Sequence, residues 1–512
     1  MRLSRLIGDI TKDCESRGDL SADITRLVMD SREADDFSGG LFFCIVGASF
    51  DGHTAAAHVV KRGAAALIVE RFMPQLDVPQ VKVSSMRVAI SKIAQTFYDY
   101  PANGMTMIGI TGTKGKTTTT YLLKGILDTA GLNAGLIGTT GALYTAETIT
   151  RDGSAQKADK MIPSSLTTPD PIELQKILRQ MADAGVRAVS MEISAHAIDM
   201  NRFDGMQFKA GAFTNISQDH LDYFHTMENY WQTKRKLFTE GFVRAAAFNA
   251  DDEVAQGMME GVAIPKVTFG IREDNSDILA RDIDTNENGV SYTLCVNAAS
   301  LHGMNDSVRN GSDSVRINLR IPSTFNIYNS LAAVSVALLL GIDLETIARG
   351  LASVRSVPGR IEPLDTHTPY KVVLDYSHSP AALESILEEV RRFTKKRLIC
   401  LFGCGGDRDP YKRPIMGEIS GRLADFSILT SDNPRTEDPF AILAEIEEGI
   451  KPTGKAYTVI ENRRDAIRYA LNFAKEGDIV VLAGKGHETY QEINGKKYPF
   501  DEKVVVQELL SN

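Results

Sequence analysis

Ile108-Gly-Ile-Thr-Gly-Thr-Lys-Gly-Lys-Thr-Thr-Thr-Thr120 is the stretch on which the fold turns. Its apolar lead-in, Met107-Ile108-Gly109-Ile110, predicts a strand, and residues 121–128 repeat apolar side chains at helical spacing. Between them Gly112-Thr113-Lys114-Gly115-Lys116-Thr117-Thr118 predicts a loop in which the glycines let backbone N–H groups close around an anion. The helix start adds the positive end of its dipole, Lys116 reaches the terminal phosphates, and the Thr117 hydroxyl is placed for Mg²⁺. The usual phosphate loop has four residues between its glycines and this one has two. Gly-x-x-Gly-Lys-Thr alone also fits an ordinary turn; the strand before it and the helix after it favour nucleotide binding.

Outward from the loop, the chain of 512 residues is too long for one core and predicts about three domains. With 43 % hydrophobic and 24 % charged residues it reads as globular, and a net charge of −9 argues against nonspecific nucleic-acid binding. The five cysteines, at 14, 44, 295, 400 and 404, form no Cys-x-x-Cys pair. That predicts a reduced, cytoplasmic protein without structural zinc. The N-terminus has no long apolar core, and the longest apolar run, 331–342, is broken by Ser335, so neither an export signal nor membrane insertion is expected.

Before the loop, residues 1 to about 100 read as a small α/β unit with polar turns at Asp30-Ser31-Arg32 and Asp51-Gly52-His53, which are either ligand loops or plain connections. Pro101-Ala-Asn-Gly104 reads as a linker. After the loop, 134–138 predicts a strand, 145–161 an exposed loop, and 172–184 a helix entered through Thr167-Thr168-Pro169-Asp170-Pro171. The strand 188–192 ends in Glu192, followed by Ser194, His196 and Arg202. A carboxylate at such a strand end faces the crevice of an α/β sheet, either as a Mg²⁺ ligand or as a capping group. Asn215 to Asp222 gathers further polar ligand types around His220, and Lys234 sits on the amphipathic helix that follows. Residues 297–314 read as a loop. Asn326 and Asn329 share one face of a long apolar helix, either to bind a base or to cap.

Residues 357–362 read as a hinge into a third α/β block. Its strand ends carry Asp375, Gly403 to Pro414, Ser431-Asp432-Asn433-Pro434-Arg435 and, after a last strand at 479–483, Gly484-Lys-Gly-His-Glu488. Four polar strand ends predict a doubly wound sheet with one functional edge. Neither glycine loop has the Gly-x-Gly-x-x-Gly spacing of a dinucleotide site.

In this order the motifs resemble those of the Mur ligases: Gly-Thr-x-Gly-Lys-Thr-Thr at 112–118, Asp219-His220-Leu-Asp222, Phe325-Asn-x-x-Asn329, Gly405-Gly-Asp-Arg408 and Asp432-Asn-Pro-Arg435. The resemblance runs nearly end to end. It implies an α/β, three-domain architecture: 1–101 for a UDP-sugar, a central P-loop ATPase domain at 102–356, and a doubly wound, Rossmann-like domain at 357–512 for an amino acid.

The activity it implies is ATP-dependent amide formation through an acyl phosphate. Meso-diaminopimelate would be added to UDP-N-acetylmuramoyl-L-alanyl-D-glutamate by a cytoplasmic monomer of peptidoglycan precursor synthesis. By the same resemblance Lys116, Glu192, His220 and Lys234 are catalytic. Thr117, Glu192, His220 and Lys234, the last as a carbamate, hold Mg²⁺. Gly112, Thr113, Lys114, Gly115, Lys116, Thr117, Thr118, Asn329, Arg360 and Asp375 meet ATP. Ser31, His53, Thr167, Thr168, Ser194 and Arg202 meet the UDP-peptide. Arg408, Asp432, Asn433, Arg435, Gly484 and Glu488 meet diaminopimelate, whose far end carries a carboxylate as well as an ammonium and so suits a guanidinium.

Three departures stand out: Lys114 where the family has Asn, Ala195 where it has a second Ser, and Ser377-His378-Ser379 in place of Ala-His-Thr. Competing expectations are addition of L-lysine, another ligase of the superfamily such as folylpolyglutamate synthetase, a P-loop ATPase with no acceptor, and a paralogue that only binds the UDP-peptide.

Overall fold

A computed structural model describes residues 1–511 other than 33–34, 48–49, 150–154, 165, 273 and 302–313. The fold is α/β throughout, in two compact units. One comprises Met1–Leu279, Cys295–Val315 and Tyr328–Gly350, the other Ala280–Leu294, Arg316–Ile327 and Leu351–Asn512.

Two sheets organise the first unit. The N-terminal one has five strands, in the order Cys14–Arg17, Gln80–Val83, Ala66–Val69, Gly40–Phe43, Arg26–Val28. The second follows the order Ala155–Ile162, Gly141–Ile149, Ala134–Gly138, Ala188–Glu192, Thr106–Thr111, Ala210–Phe213, Ala246–Asn249, Lys266–Gly270. Its centre is parallel: Glu192 lies opposite Ile110, and Phe213 opposite Thr111. Parallel pairing brings the carboxyl ends of these strands, and the loops after them, to one edge. The flanking helix Pro171–Asp183 begins with Asp170 accepting from the Ile172 and Glu173 amides, with proline in its first turn. Its Leu174, Ile177, Leu178 and Met181 are buried against Met107, Ile137, Val189 and Met191 of the strands.

The expected loop at 145–161 is instead the antiparallel hairpin Gly141–Ile149 with Ala155–Ile162, whose tip lies outside the described residues. Thr145 opposite Asp159 and Glu147 opposite Lys157 explain why so polar a stretch pairs: an edge hairpin needs only one apolar face, and cross-strand polar pairs stabilise the other. The expected loop at 297–314 is described only at its ends, as a short turn of 3₁₀ helix at Ala298–Leu301 and the start of the strand Ser314–Leu319.

The sheet of the second unit runs Glu362–Leu364, Lys371–Asp375, Ile479–Ala483, Leu398–Phe402, Phe426–Leu429, Tyr457–Val459. All pairs are parallel except the first. Leu383, Ile386, Ile442 and Ile446 are buried with one apolar set, Ala466, Ile467, Ala470 and Val506 with another, as a doubly wound sheet requires. Ile479–Ala483 is not the last strand. The hairpin Tyr490–Ile493 with Lys496–Pro499 follows it, and Asn494 and Gly495 both take positive φ at its turn. Asn-Gly is a strong signal for that turn.

Described cysteines are all free thiols, and burial pushes Cys400 and Cys404 up to about 12, so neither is a nucleophile at neutral pH. Among the described residues no helix is long and apolar enough to cross a membrane.

Candidate active site

The strand Thr106–Thr111 runs into Gly112, and the helix Lys116–Thr129 starts directly from Gly115. Both glycines hold left-handed backbone, with φ +145° and +85°. A Cβ at Gly112 would stand 2.0 Å from Thr214 Oγ1, and one at Gly115 would stand 2.1 Å from Asn329 Oδ1. Only glycine therefore admits the close approach of these two neighbours. The loop is pinned from the adjacent strand end: the Lys114 amide donates to Asn215 Oδ1 at 2.9 Å, and Thr214 Oγ1 donates to the Lys114 carbonyl at 2.8 Å. Thr117 and Thr118 are buried at the helix start, whereas Lys114 is exposed.

Lys116 folds back so that its Nζ donates to the carbonyls of Gly112 and Thr113, each at 2.9 Å. Lys234, on the helix Met227–Thr239, donates to the same Gly112 carbonyl at 2.9 Å and lies 4.6 Å from the centre of the Tyr230 ring. It is 1 % exposed. Burial, with the positive charge of Lys116 beside it, holds its pKa well below the ordinary lysine value.

Glu192 is 1 % exposed at the end of its strand. Its carboxylate accepts from the Thr139 amide at 2.9 Å and from the Thr139 hydroxyl at 3.1 Å. Thr139 Oγ1 also meets Thr167 Oγ1 at 3.1 Å. Thr168 is fully buried; its hydroxyl donates to the Glu192 carbonyl and lies 3.3 Å from Ser194 Oγ, and its carbonyl accepts from Arg202 at 2.6 Å. Thr167, Thr168, Ser194 and Arg202 thus form one polar chain leading from Glu192. His220 takes left-handed backbone and is exposed; its ring stands edge-on to His196 with centres 4.7 Å apart.

Among the described residues no three His, Cys, Asp or Glu side chains cluster tightly enough to hold a metal ion. The donors on hand are the Thr117 hydroxyl, the Glu192 carboxylate and the His220 imidazole. They fit a Mg²⁺ that takes most of its oxygens from nucleotide phosphates and water, as Mg²⁺ usually does.

In the N-terminal sheet unit Ser31 is half-buried. His53 is buried with both ring nitrogens engaged: Nδ1 lies 2.7 Å from Asp51 Oδ1, and Nε2 accepts from the Glu70 amide at 3.1 Å. Its imidazole therefore orders the turn around it.

In the second unit Asp375 is buried at its strand end, where its carboxylate accepts from the Ile361 amide at 2.9 Å and from the Ser377 hydroxyl. Burial raises its pKa against the opposing charge of Arg360. Arg360 stands 5.3 Å over the Tyr376 ring. The other strand ends deliver Arg408, which is exposed, the buried Asp432 and Asn433, the partly exposed Arg435, and Glu488. Arg435 has φ +52°; its guanidinium donates to the Gly406 carbonyl at 2.6 Å and lies 3.4 Å from Glu492. A Cβ at Gly484 would stand 2.6 Å from Asp432 Oδ2. Glu492 and Gln491, which donates to the Asp432 carbonyl at 2.8 Å, come from the unpredicted hairpin. Tyr376 and Lys485 also join this cluster, through Glu488.

A phosphate loop at a sheet switch point, with a buried carboxylate on a neighbouring strand end and a buried lysine on a helix against the loop, defines a nucleotide-dependent enzyme of the phosphoryl-transfer kind. Residues 110–337 match the family model of the Mur ligase middle domain, and 359–486 that of the Mur ligase glutamate ligase domain. The chain is 40 % identical over 512 residues to the UDP-N-acetylmuramoyl-L-alanyl-D-glutamate–2,6-diaminopimelate ligase of Caldanaerobacter subterraneus subsp. tengcongensis, covering 100 % of this chain and 99 % of that one. It is 41 % identical over 490 residues to the protein of that name from Geobacillus kaustophilus, covering 94 % of each. A solved structure of a ligase of the same name superposes with a TM-score of 0.66 at 28 % identity, over 100 % of this chain and 99 % of that one. The chain belongs to the Mur ligase family.

Proposed function

We propose that the protein joins meso-diaminopimelate to UDP-N-acetylmuramoyl-L-alanyl-D-glutamate at the expense of ATP, in the cytoplasmic synthesis of a peptidoglycan precursor. The observation that carries the acceptor is the gathering of Arg408, Asn433, Arg435 and Glu488 on the strand ends of the second unit. Two guanidinium groups suit the carboxylates of diaminopimelate, and Glu488 suits its distal ammonium. The relatives' names point the same way.

The glutamate carboxylate of the UDP-peptide attacks the γ-phosphorus of ATP, the bond to the β-phosphate oxygen breaks, and ADP leaves. The amine nitrogen of diaminopimelate then attacks the acyl carbon. The C–N bond forms, phosphate departs, and the nitrogen loses a proton. Lys116 holds the phosphoryl oxygens as their charge spreads, and the loop amides of 112–115 cradle the phosphates. Asn329, Arg360 and Asp375 hold the remainder of the nucleotide. Thr167, Thr168, Ser194 and Arg202 hold the peptide beside Glu192, and Ser31, together with the turn that His53 orders, serves the uridine end.

Mg²⁺, held by Thr117, Glu192 and His220, would neutralise the converging anions when bound. Lys234 as an ammonium would repel it. A neutral amine at that buried position takes up CO₂: an N–C bond forms, one proton is released, and the resulting carbamate is an anion suited to the metal. Domains at 1–101, 102–356 and 357–512 would carry the UDP-sugar, the ATP and the amino acid, in a monomer.

ATP-dependent phosphate release with the UDP-dipeptide, comparing meso-diaminopimelate with L-lysine, tests the reading. Release with diaminopimelate alone is expected. Release with lysine alone overturns the acceptor, and release with neither overturns the ligase.

A further inference from the structure

Lys485 has no part in the reaction just derived, yet it is fully buried among the residues proposed to hold the amino acid. Its Nζ donates to Asn433 Oδ1 at 3.0 Å and to Glu488 Oε2 at 3.2 Å, and lies 5.8 Å from the centre of the Tyr490 ring. The Glu492 amide donates to the same Asn433 Oδ1 at 2.9 Å. With two donors aimed at one oxygen, the Asn433 amide has a single acceptable orientation. Its Nδ2 is thereby turned onto Glu488 Oε2, to which it donates at 2.9 Å.

One oxygen of Glu488 is thus occupied twice from inside the protein. The other, Oε1, has among the described residues only a long contact of 3.4 Å from the Tyr376 hydroxyl. The Glu488 side chain is 17 % exposed against 0 % for Lys485, so of this ion pair the carboxylate is the partner that solvent and a ligand reach.

We propose that Lys485 is a positioning residue for amino-acid selection: it locks Asn433 and one oxygen of Glu488 so that the other oxygen is presented at a fixed place to the distal ammonium of the incoming amino acid. The assignment rests on the ligase reading above. Lys485 touches no substrate; it acts through Glu488 and Asn433. A neutral side chain in its place would remove one of the two donors on Asn433 Oδ1 and one of the two on Glu488 Oε2, loosening both groups, so an acceptor that needs a defined ammonium site alongside a carboxylate site would lose most.

The test is steady-state phosphate release for wild type, Lys485→Met, Glu488→Gln and the double variant, varying meso-diaminopimelate, L-lysine and ATP in turn, with thermal unfolding of each. In Lys485→Met the KM for diaminopimelate should rise about tenfold to a hundredfold, the range for a charge-assisted hydrogen bond, while the KM for ATP stays within about twofold. Because Lys485 acts through Glu488, adding Lys485→Met to Glu488→Gln should raise that KM no further than about twofold. An unchanged KM for diaminopimelate, an equal rise for ATP, or effects that multiply in the double variant would each overturn the proposal. Should Lys485→Met fail to fold, Lys485→Gln, which keeps a donor, is put through the same comparison. Wild-type protein inactive with both amino acids refutes the ligase reading itself, a result distinct from any change between variants.

Discussion

Lys116 and Lys234 share one acceptor: each Nζ lies 2.9 Å from the Gly112 carbonyl oxygen. One lysine comes from the start of the phosphate-loop helix and the other from a helix 118 residues later, so two lysine side chains converge on the glycine loop. In the proposed reaction Lys116 exchanges this carbonyl for the phosphoryl oxygens. Lys116→Ala should lower turnover about 10²- to 10³-fold, as removal of one preorganised donor does, and leave the unfolding temperature near wild type. Single-turnover phosphate release checks it; a loss in ATP binding alone, with turnover intact, would place Lys116 outside the chemistry.

The depressed pKa of Lys234 has a definite sign. A lysine whose pKa falls on folding binds fewer protons folded than unfolded, so it makes stability rise with pH between the depressed value and the ordinary 10.5. In CO₂-free buffer, urea unfolding over this interval should give a positive slope that Lys234→Met removes. With ¹³C-bicarbonate the neutral amine should give a carbamate carbon signal at a pH where surface lysines give none, and Lys234→Met should lose it. A carbamate signal that survives in Lys234→Met would locate the modification elsewhere.

Gly115 pairs left-handed backbone with a neighbour 2.1 Å from where a Cβ would be. An L-residue in that conformation costs about 1–2 kcal/mol before any contact is displaced, which is about five- to thirtyfold in an equilibrium. Gly115→Ala should therefore raise the KM for ATP by at least that factor, because either the loop or Asn329 has to move. The KM for diaminopimelate should be unaffected. Glycine at 131, where nothing lies within 4 Å, is the control for backbone strain alone.

Most of the candidate nucleotide site is legible in the sequence because its parts are local: a strand, a glycine loop and a helix are contiguous, and Glu192 ends a strand whose apolar run announces it. The chain from Glu192 through Thr139 to Thr167 was not legible as a chain, since Thr139 is 53 residues from Glu192 and only parallel pairing brings them together. A sequence gives no sign that Asp51 and the Glu70 amide take both ring nitrogens of His53, since Glu70 lies 17 residues away. In the second unit Asp432 to Arg435 stood out by motif, but Gln491 and Glu492 hid in a polar stretch read as following the last strand. Asn494-Gly495 marked that hairpin. What it lacked was an apolar alternation, because the strand Lys496–Pro499 is exposed along its whole length.

Arg435 is held in left-handed backbone by the hairpin, its amide donating to the Glu492 carbonyl at 3.0 Å. That fixes where the guanidinium points. Arg435→Ala should lower kcat/KM for diaminopimelate by about tenfold to a hundredfold, the loss expected of a charge-assisted bond to a carboxylate, with the KM for ATP near wild type. Equal losses for ATP and for the amino acid would mean that the side chain supports the loop and does not read the ligand.

Arg463 and Glu502 form an ion pair with both side chains at 0 % exposure, 2.8 Å apart. The guanidinium also donates to the carbonyls of Ser431 at 3.2 Å and Ala483 at 2.9 Å, the residues immediately before Asp432 and Gly484. One side chain thus ties two of the strand ends that carry the proposed amino-acid site to the C-terminal helix Glu502–Ser511. Burial raises the Glu502 pKa, with Arg463 opposing it, so the pair is costly to desolvate and costlier to break. Arg463→Met strands a buried carboxylate and should destabilise the protein by about 3–5 kcal/mol, whereas Arg463→Met with Glu502→Leu should recover much of that loss. Chemical denaturation of the three variants measures it. If the apolar pair restores stability but not the KM for diaminopimelate, the ion pair is there to set the strand ends; if it restores both, packing alone holds the amino-acid site.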